Sequence, residues 1–218
     1  MKLYSFFRSS ASYRVRIALN LKAVPYESIS VHLVRDGGQQ LTEAYRKLNP
    51  DGLVPVLIDD NAKPPVLLTQ SLAMIEYLEE LHPLPPLLPA NAADRAWVRS
   101  IALSIACDIH PVNNLRVLRY LVRDLKIGEG DKDRWYRHWC EQGLAALEVT
   151  LKRDARVGRF CLGDAPGIAE CCLVPQVANA QRANCDLSAM PTVLRINEAC
   201  MALEAFRKAS PAAQPDAE

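Results

Sequence analysis

The amino-acid sequence predicts an α/β domain followed by an all-α domain. Strand-like segments and turn residues alternate with helical patterns in the first 83 residues, and strand signals almost vanish beyond them. A proline-rich stretch, His82–Pro89, separates the two regions, because proline cannot continue a helix and stiffens an extended connection. We therefore expect an α/β domain over residues 1–83, a linker over 84–90, a helical domain over 91–210 and a tail over 211–218.

The α/β domain is predicted to have the element order βαβαββα. In the first helix, Val15, Ala18 and Leu19 recur at helical spacing. In the last helix, Leu72 and Ile75 begin an apolar stripe that would face the core. The strands are predicted over 2–6, 26–31, 54–58 and 66–69, and the helices over 12–22, 41–48 and 71–81.

In the second domain, helices are predicted over 92–123, 131–152, 168–183 and 192–209. The third of these has Gly167 at its N-cap and Glu170 three residues later, which are the positions of a capping box. Glycine at an N-cap costs only a few tenths of a kcal/mol relative to better caps, so this helix should form. The residues from Gln214 onward are expected to be a frayed tail.

Composition excludes several classes of function. Lys and Arg number 26 against 25 Asp and Glu, so the chain offers no basic platform for nucleic acid. No stretch approaches the length that crosses a bilayer, and the N-terminus lacks the apolar core of a signal peptide, so we expect a cytoplasmic protein without a membrane partner. The seven cysteines are irregularly spaced without a Cys-x-x-Cys pair, which predicts reduced, mostly buried thiols and no zinc site, disulfide framework or dithiol centre.

The segment Arg8-Ser9-Ser10 lies where the first strand is followed by the first helix. A helix start offers unpaired backbone N–H groups and a partial positive charge, which together stabilise an anion. A thiolate is such an anion, but the chain has no cysteine before Cys107, so the sulfur would have to arrive on a small molecule. A serine at this position is also an ordinary helix N-cap, and that alternative stays open.

The order of elements and several motifs resemble the glutathione transferases, and in particular their zeta class, which includes maleylacetoacetate isomerases. The resemblance covers almost the whole chain. It implies a thioredoxin-like first domain and the helical second domain of these transferases. The segments that carry it are Ser9–Leu19, Asp36–Gln40, Leu48–Pro50, Val54–Pro55, Gln70–Ala73, Asp108–Asn114 and Leu173–Ala180.

The resemblance implies that glutathione is the cofactor. Val54, if the bond to Pro55 is cis, would pair its backbone with the cysteinyl unit of the tripeptide. Gln70 and Ser71 open a helix and would bind the γ-glutamyl carboxylate. Further glutathione contacts are implied for Gln40, His110, Asn114 and Arg116. The pair His110-Pro111 also fits a helix kink with the imidazole satisfied inside the fold.

The reaction implied is the cis–trans isomerisation of a maleyl dicarboxylate, with maleylacetoacetate and maleylpyruvate both open as substrates. Ser9, the Ser10 N–H and the helix dipole would stabilise the thiolate. Arg8 and Arg182 would bind the substrate carboxylates and the developing enolate, because guanidinium forks match carboxylate geometry. Taken singly, each arginine is also an ordinary solvated surface residue. The resemblance further implies a homodimer.

Two other functions are carried as alternatives. The same thiolate can conjugate or dehalogenate small α-halo acids, which would consume glutathione, and a transferase-like protein can also serve a non-enzymatic interaction.

The chain departs from the family in two places: Ala11 stands where zeta enzymes often carry cysteine, and Gly167 where many transferases carry a Ser or Thr cap. Arg14 and Arg16, inside the first helix, are expected to form structural ion pairs.

Overall fold

The computed structural model describes residues 1–218 and divides into two compact units. The first unit comprises Met1–Leu87 together with Ala202–Glu218, and the second comprises Leu88–Met201. The elements in chain order are β1 (Lys2–Ser5), α1 (Ser10–Leu21), β2 (Glu27–Ser30), α2 (Glu43–Arg46), β3 (Val56–Asp59), β4 (Val66–Leu68), α3 (Ser71–Leu81), α4 (Ala92–Leu103), α5 (Leu115–Arg123), α6 (Glu129–Arg153), α7 (Ile168–Arg182), α8 (Pro191–Met201) and α9 (Glu204–Ala209).

The first unit is built on a four-stranded sheet in the order β2-β1-β3-β4. Strand β1 runs parallel to β2 and antiparallel to β3, with Leu3 opposite Ser28 on one side and Leu57 on the other. Strand β4 closes the other edge, antiparallel to β3. The predicted βαβαββα order and the α/β class are therefore confirmed.

Helix α1 lies in the core of the first unit, with Ile17 and Leu19 fully buried. It begins at Ser10 rather than at the predicted residue 12, because the Ser9 Oγ accepts the backbone N–H of Ser12 and caps the helix. Helix α3 begins and ends at the predicted residues, 71 and 81.

Helix α9 belongs to the first unit, whereas the sequence analysis assigned residues 202–210 to the helical domain. The reason lies in hydrogen bonds to α1 that no local pattern reports. The Tyr13 hydroxyl donates to Phe206 O at 3.3 Å, and Asn20 Nδ2 donates to Ala205 O at 3.0 Å. The predicted helix over 192–209 is accordingly two helices, α8 and α9, which lie in different units.

The residues after α9 make hydrogen bonds to the first unit, whereas the sequence predicts a frayed tail. A 3₁₀ turn follows α9 at Pro211–Ala213. Beyond it, the Asp216 carboxylate accepts hydrogen bonds from Phe7 N and Ser30 Oγ. Hydrogen bonds to residues far away in the sequence thus bind a segment whose composition alone is typical of a frayed terminus.

The second unit is helical, as predicted, but its first predicted helix is broken. Residues 92–123 form α4, a π-helical turn at Ser104–Ile109, a 3₁₀ turn at Pro111–Asn113, and α5. Proline has no N–H to continue the ladder, and the Asn114 Oδ1 then caps α5 by accepting Arg116 N at 3.1 Å. None of the helices combines the length and apolar character that a membrane span requires.

Helix α7 depends on one buried carboxylate. Glu170 Oε2 accepts Gly167 N at 2.7 Å, and Glu170 Oε1 accepts Cys161 N at 2.7 Å. The Glu170 side of the predicted capping box is therefore present. The carboxylate also fastens the preceding loop to the helix, since both donors are backbone groups outside α7.

We expect Glu170→Ala to lower the free energy of unfolding by about 2–4 kcal/mol, because it leaves two backbone donors without an acceptor in a buried place. Urea denaturation of the full chain measures this loss. The matched control is Glu198→Ala on α8, where the glutamate is exposed and the change should stay within about 0.5 kcal/mol. Equal stability of the two variants would contradict this account of α7.

Candidate active site

The turn between β1 and α1 places Arg8, Ser9 and Ser10 at the amino end of α1. Ser9 N donates to Phe6 O at 3.0 Å, which closes the turn. Ser9 Oγ accepts Ser12 N at 3.2 Å, so its own O–H stays able to donate. The serine is half-buried, and the first turn of α1 contains no acidic residue. The N-cap role and the predicted anion-binding role are therefore compatible in one side chain.

Arg16 holds this turn from behind. Its guanidinium is fully buried and donates to Ser5 Oγ at 2.9 Å, to Phe6 O at 3.4 Å and to Phe7 O at 3.0 Å. Its Nε donates to Ala209 O at 2.9 Å. Burial lowers the pKa of Arg16 to about 10, which leaves it charged at neutral pH. Arg16 is therefore structural, but the ion pair predicted for it is wrong, because its hydrogen-bond partners are carbonyls and a hydroxyl rather than an acidic side chain.

Arg14 joins two helix starts. Its Nη1 donates to the Ser71 Oγ at 3.3 Å, and both side chains are buried. The amino ends of α1 and α3, which the sequence analysis singled out separately, are thus linked within one unit. Arg14 was predicted only as a structural residue. Its position one turn into α1 is the sequence feature that could have indicated the contact with Ser71.

Gln70 precedes α3 in a conformation that non-glycine residues rarely adopt, with φ 67° and ψ 113°. Such a backbone costs about 1–3 kcal/mol and persists only where its surroundings impose it. The side chain of Gln70 is exposed, whereas Ser71 is buried. Like α1, helix α3 has no acidic residue in its first turn, so its positive end is not neutralised.

The bond between Val54 and Pro55 is cis, which is the condition on which the predicted role of Val54 depends. Val54 is packed against the cluster of Val31, Tyr45 and Val56. The carbonyl just before it, Leu53 O, accepts the Tyr45 hydroxyl at 2.7 Å and Asn49 Nδ2 at 2.8 Å. The backbone that carries Val54 is therefore firmly held.

Gln40 lies buried in the loop after β2. Its Nε2 donates to Leu33 O at 3.4 Å. Gly38, at φ 111°, allows this arrangement, because a Cβ there would come within 2.8 Å of both Gln40 amide atoms and of Leu33 O. The side chain of Gln40 thus packs against the loop, and its predicted contact with the glycyl end of glutathione remains a prediction.

In the second unit, His110, Asn114 and Arg116 lie together at the break before α5. His110 Nε2 and Asn114 Nδ2 are 3.5 Å apart, and Asn114 Oδ1 accepts Arg116 N at 3.1 Å. Pro111 follows His110 directly, so the kink that was weighed as an alternative is real. The His110 and Asn114 side chains lie close together at this kink, and the two explanations do not exclude each other.

Arg182 ends α7 with an exposed guanidinium. Its Nη2 donates to Asn179 Oδ1 at 3.1 Å, and it also hydrogen bonds with the Tyr136 hydroxyl of α6. Burial raises the pKa of Tyr136 to about 12, so the phenol stays neutral and accepts from the guanidinium. Arg182 is thus both accessible and oriented. Tyr136, distant in sequence, carried no signal that could have revealed this contact.

The thiols are as expected from the sequence. None of the seven cysteines forms a disulfide, and five of them are buried. Burial raises the pKa of Cys140, Cys161 and Cys200, so these thiols are protonated at neutral pH. None of the seven lies in the β1–α1 turn, where an external sulfur would be needed.

Comparison with known proteins identifies relatives over the full length of the chain. Residues 3–86 match the family model described as glutathione S-transferase, N-terminal domain. A probable maleylacetoacetate isomerase from Vibrio cholerae is 49% identical, covering 99% of this chain and 97% of its own. A maleylpyruvate isomerase from a Ralstonia species is 48% identical, covering 99% of both chains.

Solved structures give the same result. A holo maleylpyruvate isomerase, described as a bacterial zeta-class glutathione S-transferase, superposes with a TM-score of 0.95 at 47% identity and full coverage of both chains. A maleylacetoacetate isomerase from Methylobacterium extorquens AM1, with bound malonate and glutathione, gives 0.94 at 41% identity and full coverage. A maleylacetoacetate isomerase from Anaeromyxobacter dehalogenans, with dicarboxyethyl glutathione and citrate in its active site, gives 0.86 at 41% identity, covering 100% of this chain and 97% of its own.

Proposed function

This chain belongs to the glutathione S-transferase family, in the zeta class with maleylacetoacetate and maleylpyruvate isomerases, and on that basis we propose that it isomerises a maleyl compound to its fumaryl isomer with glutathione as cofactor. The observation that carries the proposal is the half-buried Ser9 hydroxyl at the amino end of α1, in a chain 48% identical along its length to a maleylpyruvate isomerase. We further propose that the protein is a homodimer, as the family resemblance implies, and that it is located in the cytoplasm.

The residues present fit glutathione. The amino ends of α1 and α3 have no acidic residue in their first turns, which suits an anionic tripeptide. The backbone of Val54 follows the hydrogen-bonded Leu53 carbonyl and is firmly held, which suits pairing with a peptide backbone. We assign the γ-glutamyl carboxylate to Gln70 and Ser71 and the cysteinyl backbone to Val54. Gln40, His110, Asn114 and Arg116 are assigned to the remaining polar groups.

When bound, glutathione supplies a thiolate that adds to the maleyl double bond, allows rotation about the resulting single bond, and leaves again unchanged. The Ser9 O–H donates to the sulfur, and the Ser10 N–H and the α1 dipole favour its ionised form. Arg16 keeps these donors in place, because it binds the carbonyls of the two residues that precede Arg8.

The arginines suit a dicarboxylate whose two ends turn relative to each other. The Arg8 guanidinium is exposed and lies over the Phe7 ring at 5.0 Å, while Arg182 is oriented by Asn179 and Tyr136. Charge that develops on the substrate carbonyl during addition is stabilised by a guanidinium that stays protonated. The malonate and the dicarboxyethyl glutathione bound by relatives support this assignment.

The test is an ultraviolet assay of purified protein with maleylpyruvate and maleylacetoacetate, with and without glutathione. We expect turnover of at least one substrate, complete dependence on glutathione, and no net loss of free thiol. Stoichiometric consumption of thiol with α-halo acids and inactivity toward both maleyl compounds would favour conjugation or dehalogenation instead. Absence of glutathione binding would favour the non-enzymatic alternative.

We expect Ser9→Ala to lower kcat by about 10²-fold, the typical effect of removing one donor to a developing or stabilised anion. The variant also loses an N-cap, which costs about 1 kcal/mol of stability. Asn91→Ala is the matched control, because it removes the side chain that caps α4 without removing a donor to sulfur. Similar kcat in both variants would refute the role of Ser9.

We expect Arg182→Ala to raise KM for the maleyl substrate by about tenfold or more, because one carboxylate loses a charged fork. KM for glutathione should change by less than about twofold, since no glutathione contact is assigned to this residue. Steady-state kinetics with each component varied in turn separates the two constants. Arg153→Ala, which removes an exposed guanidinium at the end of α6, is the control. A parallel rise in both constants would contradict the assignment.

A further inference from the structure

The segment after α9 returns to the β1–α1 turn and binds it through Asp216. Asp216 Oδ2 accepts the Phe7 backbone N–H at 3.2 Å and the Ser30 hydroxyl at 2.9 Å. Phe7 is the residue immediately before Arg8, and Ser30 ends β2 opposite Ser5 of β1. The carboxylate therefore fastens the end of β2 to Phe7, which lies two residues beyond the end of β1 in the turn.

The Phe7 residue is held on both its polar backbone groups. Its N–H donates to Asp216, and its carbonyl accepts Arg16 Nη2 at 3.0 Å. Arg16 is itself fastened to the C-terminal segment through its bond from Nε to Ala209 O. Both contacts thus connect the turn to residues about two hundred positions later in the chain. The residue that they fix is Phe7, and Ser9 lies only two residues beyond it.

Charge strengthens this arrangement. Burial lowers the pKa of Arg16, and the nearby negative charge of Asp216 acts in the opposite direction and helps to keep the guanidinium protonated. A hydrogen bond from a backbone N–H to a carboxylate is stronger than one to a neutral acceptor. Asp216 therefore supports the turn both directly and through Arg16.

A second contact of the same segment reaches the neighbouring residue. Glu218 forms an ion pair with Arg35, and its Oε2 lies 3.5 Å from His32 Nε2. The His32 ring packs edge-on against Phe6, with ring centroids 4.9 Å apart. Glu218 is exposed, so this contact is screened by water and Asp216 is the principal anchor.

We propose that Asp216 is a positioning residue for the reaction: by accepting the Phe7 N–H it sets the conformation of the Arg8–Ser9 turn that holds the glutathione sulfur. The inference rests on the proposed function for its catalytic consequence. Its structural part concerns only the Phe7 amide and stands on the hydrogen bonds described above.

The test compares Asp216→Ala with Asp216→Asn, whose amide oxygen can still accept both donors. Glu204→Gln is the control, since Glu204 is a carboxylate of the preceding helix, α9, and pairs there with Lys208. Hydrogen exchange of the Phe7 amide is followed by NMR, and ionisation of bound glutathione by the pH dependence of its thiolate absorbance. Thermal unfolding of each variant shows that it is folded.

In Asp216→Ala we expect Phe7 exchange at least about tenfold faster, the equivalent of one charge-assisted hydrogen bond. The pKa of bound glutathione should rise by about half a unit or more, and kcat should fall with it. Asp216→Asn should restore most of each quantity, and Glu204→Gln should change none. Should Asp216→Ala fail to fold, Ser30→Ala is the substitute, because it removes the second donor that holds the carboxylate, and it should speed Phe7 exchange by about threefold.

Unchanged Phe7 exchange in the folded variants would overturn the inference. Faster exchange with an unchanged thiol pKa would also overturn it, since Asp216 would then be an anchor without effect on the site. The proposed function can fail independently of the inference. A wild-type protein that binds glutathione but leaves maleyl substrates unchanged refutes the isomerase activity. In that case a raised pKa of the bound thiol in Asp216→Ala still supports the role of Asp216. An active wild type with an indistinguishable Asp216→Ala refutes the inference alone.

Discussion

The first unit depends on one buried guanidinium. Arg16 leaves water completely, and the cost of removing its charge is offset by hydrogen bonds to backbone carbonyls and a serine hydroxyl. These acceptors belong to the end of β1, to the turn and to the end of α9. The strand, the turn and the last helix therefore form together, because each of them supplies part of the site that makes burial of Arg16 possible.

The arrangement matters for chemistry because Arg16 fixes the turn before α1 while the first turn of that helix contains no acidic residue. An arginine paired with an aspartate in the first turn of α1 would cancel the helix dipole where an anion is to bind. Arg16 bonds instead to neutral acceptors, and Arg14 bonds to the Ser71 hydroxyl at the start of α3. The net charge of the whole chain is only +1, so it does not reveal the positive potential at these two helix starts.

Local patterns predicted most elements, and long-range contacts account for the failures. The bounds of α3 and the chain order of strands and helices in the first unit followed from apolar spacing and turn residues. The helix predicted over 92–123 is interrupted between residues 104 and 113, where the pair His110-Pro111 was the only sign of a kink. In the site, Ser9 and Ser71 were evident from their places at helix starts. The partners Tyr136 and Asp216 were not, since each contacts the site from a distant part of the sequence.

The terminal segment, residues 202–218, belongs to the same unit as the β1–α1 turn and supplies part of its hydrogen bonding. A thioredoxin-like unit that ended at Leu87 would leave Arg16 without its bond to Ala209 and the Phe7 amide without its carboxylate. The guanidinium would then keep only the acceptors of β1 and the turn, which are Ser5 Oγ, Phe6 O and Phe7 O. The helical unit, residues 88–201, thus separates the two stretches of sequence that supply the hydrogen bonds of the β1–α1 turn. The turn therefore has its full set of hydrogen bonds only when Ala209 and Asp216 are in place.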